Sequence, residues 1–163
     1  MKPALFLSFT FLFSAQLSFP LFADDDLPYV ELKYATDFSR LGEIARDEGK
    51  IILLEVSASH CNYCELLEEE FLKPMLRSGD YNNVLIRKID MDDYQTIIDF
   101  SGKSTSPDEF THRLKVRLTP TILFFDGHGN EVSPRILGIN SLDLYGGYLD
   151  EAIKNGLQKI KLQ

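Results

Sequence analysis

The chain has 163 residues and carries 25 acidic against 17 basic side chains, a formal net charge of −8. That balance argues against nucleic acid and against anionic membrane surfaces as partners. The length suits one compact core and is too short for two comfortable domains.

The first 23 residues read as a leader. Lys2 is the only charge before Asp24, the block between is rich in Leu and Phe, and Pro20 and Ala23 precede an acidic run, Asp24-Asp25-Asp26. A single positive charge, an apolar core, a helix breaker and a small residue are the marks of a secretory signal peptide. Cleavage is expected after Ala23, with an uncleaved membrane anchor as the alternative. The predicted division is a signal peptide over 1–23 and one domain over 24–163, periplasmic or secreted. No cysteine follows the apolar block, so it is not a lipoprotein signal.

Tyr29 to Tyr34 alternates loosely and predicts a short first strand. Thr36 or Asp37 is placed to cap a helix reaching about Glu48, with Phe38, Leu41, Ile44 and Ala45 as its apolar stripe. Ile51 to Val56 is an apolar run broken by one acid, Glu55, as expected of a central strand buried on both faces. After Cys64, Leu66, Leu67, Phe71 and Leu72 recur at helical spacing among four glutamates. This helix is expected to pass Met75 and Leu76 with a bend at Pro74 and to close at Ser78-Gly79-Asp80.

Val84 to Ile89 predicts the next strand, ended by Asp90-Met91-Asp92-Asp93. Tyr94, Ile97, Ile98 and Phe100 suggest a helical turn, 101–107 a polar loop, and Asp108 to Leu114 a helix. Gly102-Lys103-Ser104 lacks the upstream glycine of a phosphate-binding loop, because position 97 is Ile. Thr119-Pro120 leads into a strand through Phe125, and 126–130 is a tight connection to a returning strand over Glu131 to Ile136. Leu142 to Ile160 closes the chain as a helix, with Leu142, Tyr145, Leu149, Ile153 and Ile160 on or near one face.

The only two cysteines, Cys61 and Cys64, fall where the central strand gives way to a helix. Free N–H groups at a helix N-terminus favour a thiolate at Cys61. A second thiol three residues on resolves a mixed disulfide and restores the pair. Such a short loop makes a poor structural staple, which favours redox work. Half of a zinc site is the competing reading, but His60, His112 and His128 stand at unsuitable spacings, and no metal is expected. Glu55 is a candidate proton acceptor for Cys64, since a carboxyl on a buried strand has a raised pKa. Its bland alternative is an acid at the strand edge paired with a lysine. His60 either stabilises the thiolate or is a solvent-facing turn residue, while Glu65 and the acids after it push the thiol pKa upward.

Together these features resemble the thioredoxin superfamily over about residues 30–160. Cys61-Asn62-Tyr63-Cys64 follows a buried strand and opens a helix. Glu55 lies six residues before Cys61, where thioredoxins carry a buried aspartate, and Thr119-Pro120 precedes a strand as at the family's cis-proline. The resemblance implies a single α/β domain of thioredoxin-like fold, a central mixed β-sheet flanked by helices. It implies thiol–disulfide exchange with protein substrates, with Cys61 as nucleophile, Cys64 as resolving thiol, Glu55 as proton acceptor, and Thr119 and Pro120 beside the pair in substrate binding. No cofactor is needed, because the cysteines carry the electrons.

The exported start and the run Val116 to Thr121 resemble periplasmic thioredoxin-related proteins of the sulfur-oxidation-associated type and the thioredoxin-like ends of membrane electron-transfer proteins. That subgroup implies a reductase fed by a membrane dithiol electron donor; a monomer is expected. The alternatives are an oxidase that donates disulfides to exported proteins, and a non-enzymatic binding or chaperone-like module. His60 departs from the family's Trp, Asn62-Tyr63 from its Gly-Pro, and Glu55 from its Asp.

Overall fold

In the computed structural model, which describes residues 28–162, the chain is built around one strand. This strand, β1 (Ile51–Ser57), is buried at all seven positions. It pairs in parallel with β2 (Val84–Asp90) on one side and antiparallel with β5 (Thr121–Phe125) on the other. The short β6 (Ile136–Leu137) adds to β5, giving a mixed sheet of order β2-β1-β5-β6. The predicted signal segment lies outside the described residues. Among the described residues no helix is long and apolar enough to cross a membrane.

Helix α1 (Phe38–Glu48) starts where Asp37 accepts the Arg40 backbone N–H at 2.8 Å, and it ends at Gly49 in the left-handed conformation. Helix α2 (Asn62–Leu67) runs on through a π turn (Glu68–Leu72) into α3 (Lys73–Ser78). The π turn lies just ahead of Pro74, the position at which the sequence suggests a bend. The Lys73 N–H reaches back five residues to the Glu68 carbonyl, a widened turn just ahead of a proline that has no N–H to give. Ser106 caps α4 (Pro107–Arg113), and α5 (Leu142–Ile160) spans the predicted final helix.

Alternation along the strands sorts the core into two layers. Ile51, Leu53, Ile122 and Phe124 pack with Leu67, Leu72, Tyr145, Leu149 and Ile153, so α2, the π turn and α5 cover one face. Ile52, Leu54, Val56, Leu123 and Phe125 pack with Phe38, Leu41, Ala45 and Phe110, so α1 and α4 cover the other. With helices on both faces, the predicted single-domain thioredoxin-like architecture is the one present.

Four local expectations change. Tyr29 to Tyr34 forms no strand; it meets β2 through one bridge, Tyr34 to Lys88. Residues 97–98 are not helical but form β3 (Ile97–Ile98), which pairs antiparallel with β4 (Ser104–Thr105). The returning strand predicted over Glu131 to Ile136 shrinks to β6, because the Ser133-Pro134 step interrupts the ladder after a bridge at Glu131. On α5, Tyr145, Leu149 and Ile153 are buried as predicted, whereas Leu142 is exposed.

Candidate active site

The turn after β1 delivers Cys61 to the N-cap of α2. Cys61 has extended backbone geometry, and its sulfur accepts the Cys64 backbone N–H at 3.2 Å. Cys61 and Cys64 are joined as a disulfide with their Cα atoms 5.2 Å apart. Their exposure differs: Cys61 is partly open, while Cys64 is buried one turn into the helix. Asn62 and Tyr63 between them face solvent. An incoming sulfur therefore reaches Cys61 first. The Cys64 amide points at the sulfur that would carry negative charge once the disulfide opens.

The turn itself is held by Asp92, which follows β2. Its carboxylate accepts the Ser59 backbone N–H at 2.9 and 3.0 Å and also the Ser59 hydroxyl. Those hydrogen bonds hold the Asp92 pKa below the ordinary carboxylate value. In the sequence Asp92 reads only as part of a strand terminator. His60, next along, is exposed and adopts φ 59°, in the left-handed region. That position fits the reading of a solvent-facing turn residue. Glu65 is exposed in the first turn of α2.

Glu55 is fully buried on β1, and neither carboxyl oxygen has a hydrogen-bond partner. By alternation it shares the face of Ile51 and Leu53, the one covered by α2, the π turn and α5. The strand-edge alternative fails, since β1 is paired on both sides. Burial pushes the Glu55 pKa up to about 9, helped by the charges of Glu68 and Asp90 and opposed by Lys88. Lys88 stands directly across from Glu55 in the parallel register, yet its ammonium pairs with Glu68 at 2.8 Å. Tyr145 of α5 lies near enough for the Glu55 charge to raise its pKa further after burial has done so, and its hydroxyl is likewise buried and unpartnered.

The Thr119–Pro120 bond is cis. Thr121 pairs with Val56, so Pro120 enters the sheet at the end from which β1 turns toward Cys61. Thr119 is half-buried and Pro120 buried, and the Pro120 carbonyl accepts the Gly138 N–H at 2.8 Å. The structure thus brings Cys61 and Cys64 into a bond, sets Glu55 beneath the face their helix covers, and places Thr119-Pro120 at the same end of the sheet. His112 and His128 are exposed on α4 and the 126–130 connection. Among the described residues no group of three or more His, Cys, Asp or Glu side chains is arranged to hold a metal ion.

The profile of the thioredoxin-like domain family matches residues 41–153, which includes β1, the cysteine turn, Pro120 and most of α5. The chain belongs to the thioredoxin-like family. Its backbone is similar to that of thioredoxin from Malassezia sympodialis, with a TM-score of 0.55 at 17% identity, over 80% of this chain and 94% of that one. It is similar also to thioredoxin O2 from Arabidopsis thaliana in its oxidised state, with a TM-score of 0.52 at 19% identity, over 75% of this chain and 94% of that one. Thioredoxin from Fasciola hepatica gives a TM-score of 0.53 at 19% identity, over 77% and 99% of the two chains. No curated protein matches the chain in sequence. At these identities the structural neighbours speak for the fold. Family membership, with a Cys-x-x-Cys disulfide at a helix N-terminus, makes this thioredoxin-like chain a thiol–disulfide oxidoreductase in the general sense.

Proposed function

We propose that the protein is an exported reductase of protein disulfides, carried by a signal peptide over 1–23 and resupplied by a membrane dithiol electron donor. The observation that carries the chemistry is the asymmetry of the pair, with a reachable Cys61 at the cap and a buried Cys64 behind it. In the reducing half-reaction the Cys61 thiolate attacks one sulfur of a substrate disulfide. A mixed disulfide forms and the first substrate thiolate leaves. Cys64 then gives its proton to the Glu55 carboxylate and attacks the Cys61 sulfur. The second substrate thiolate leaves, and the Cys61–Cys64 disulfide remains.

With its pKa pushed up to about 9 by burial, Glu55 accepts this proton only through its ionised fraction, so resolution is expected to quicken as pH rises toward 9, and in the disulfide form the carboxyl is neutral. When a donor reduces the pair, the same carboxyl returns its proton to the Cys64 sulfur. Thr119 and Pro120, at the cysteine end of the sheet, supply the backbone edge on which a substrate segment lies. The exported location rests on the composition of residues 1–23. The reducing direction and the donor rest on the resemblance to the sulfur-oxidation-associated group.

Equilibration of the protein with glutathione and dithiothreitol buffers, with the Cys61 pKa measured on the same sample, tests the direction. A potential near about −270 mV supports the reductase, and one near about −120 mV makes the protein an oxidase. Absence of reversible exchange would leave a thioredoxin-fold binding module.

A further inference from the structure

The ion pair between Lys88 and Glu68 is the unusual feature of this site. Both side chains are largely withdrawn from solvent, at 16 and 12% exposure, and the Lys88 ammonium donates to Glu68 Oε1 at 2.8 Å. Lys88 lies on the same face of the sheet as Glu55 and directly beside it in register. A cation so placed would be expected to turn to the buried acid. It is instead held by an acid from the π turn, and both Glu55 oxygens stay without a partner.

The other charged and titratable groups around Glu55 are Asp90 on β2 and Tyr145 on α5, while β5 presents Ile122 opposite it. Tyr34 lies against Lys88, with the ammonium 4.8 Å from the ring centroid, and donates its hydroxyl to Asp90 at 2.9 Å. Lys88 is thus fixed from two sides, by a carboxylate and by an aromatic face.

We propose that Glu68 is a positioning residue for Glu55: by capturing Lys88 it denies the buried acid its neighbouring cation and keeps that carboxyl neutral beneath the cysteine helix. The π turn matters here because it carries Glu68 and its carbonyl accepts the widened hydrogen bond. The consequence for the chemistry is the pH at which Glu55 changes from proton donor to proton acceptor, a point that rests on the role given to Glu55 above.

The test is the carboxyl titration of Glu55 in the oxidised protein, followed by carbon NMR with labelled glutamate. Glu68→Gln removes a neighbouring anion and frees Lys88 to turn toward Glu55. Both changes favour the carboxylate, and the titration should move down by about one to three pH units. Lys88→Met removes the cation and should move it up. The Glu68→Gln/Lys88→Met double variant should lie between the two. An unmoved Glu55 titration in Glu68→Gln, with only a loss of stability, would overturn the proposal and leave a structural ion pair. Should Glu68→Gln fail to fold, Glu68→Asp, which keeps the anion but draws it back from Lys88, decides: a downward shift of Glu55 supports the proposal, and an upward or absent shift overturns it. The rate of mixed-disulfide resolution against pH, on the same variants, separates the two ideas. If the carboxyl titration moves and the rate profile does not follow, the positioning role stands and Glu55 is not the proton acceptor.

Discussion

Glu55 keeps its proton in the folded chain up to about pH 9, against an ordinary value of 4.5. Its contribution to stability is therefore fully present below about pH 4.5 and lost progressively as pH rises toward 9, because the unfolded chain releases a proton that the folded chain retains. Glu55→Gln removes that dependence. Relative to the wild type, the variant should gain on the order of 1.4 kcal/mol per pH unit across this window, read from urea unfolding at pH 5 and pH 8 with the disulfide intact. Parallel pH dependences would mean that Glu55 is ionised in the fold. Asp92 acts at the other end of the turn, through its grip on Ser59. Asp92→Ala should slow mixed-disulfide formation by Cys61 roughly tenfold, since small misplacements of a reacting group are costly. Asp92→Asn keeps an acceptor oxygen and should retain most of the rate; equal single-turnover rates for the two variants would separate the latch from the chemistry. Cys61, Cys64, Glu55 and Thr119-Pro120 could be picked out of the sequence because each sits at a special point in the pattern. Glu68 could not, since within Glu68-Glu69-Glu70 an acid that turns inward looks the same as one facing water. Asp92 was hidden for a similar reason, in a run of acids that also reads as a strand terminator.

At the scale of elements, the seam between α1 and the 126–130 connection is closed at backbone distance. Gly42 on α1 and Gly127 meet backbone to backbone, and a methyl group on either would collide with the other's carbonyl. Arg46, one turn along α1, donates its guanidinium to the Gly127 carbonyl. Gly42→Ala should cost about 1–3 kcal/mol by overpacking, despite the better helix propensity of alanine. A lowered urea midpoint with unchanged slope checks it; an unchanged midpoint would show that the seam relaxes. Elements with long, regular patterns were legible: β1 from its apolar run, α1 from Asp37 and its stripe, and α5 over its full length. The failures are elements too short to have a period. Ile97–Ile98 makes a strand only because Ser104–Thr105 folds back beside it, a contact that local spacing does not encode. Glu131 to Ile136 has the residues of a strand, but Pro134 has no N–H to continue the ladder.

Taken whole, the molecule is two apolar layers sharing one sheet, and β1 contributes alternate side chains to both. The cysteine turn leaves the end of this doubly covered, doubly paired strand, yet Asn62 and Tyr63 face water. Two very different clocks therefore run within a dozen residues. The amides of Ile52 to Val56 can meet solvent deuterium only when the whole domain opens, whereas the first amides of α2 have no helical carbonyl to bind and exchange through local motion alone. Hydrogen exchange followed by mass spectrometry should show protection factors for β1 that track global stability, beside almost unprotected Asn62 and Tyr63 amides. Fast exchange in both would mean that β1 opens below the global limit. A trapped substrate should slow only the fast clock, which makes the Asn62 and Tyr63 amides a direct timer of partner residence on the redox pair.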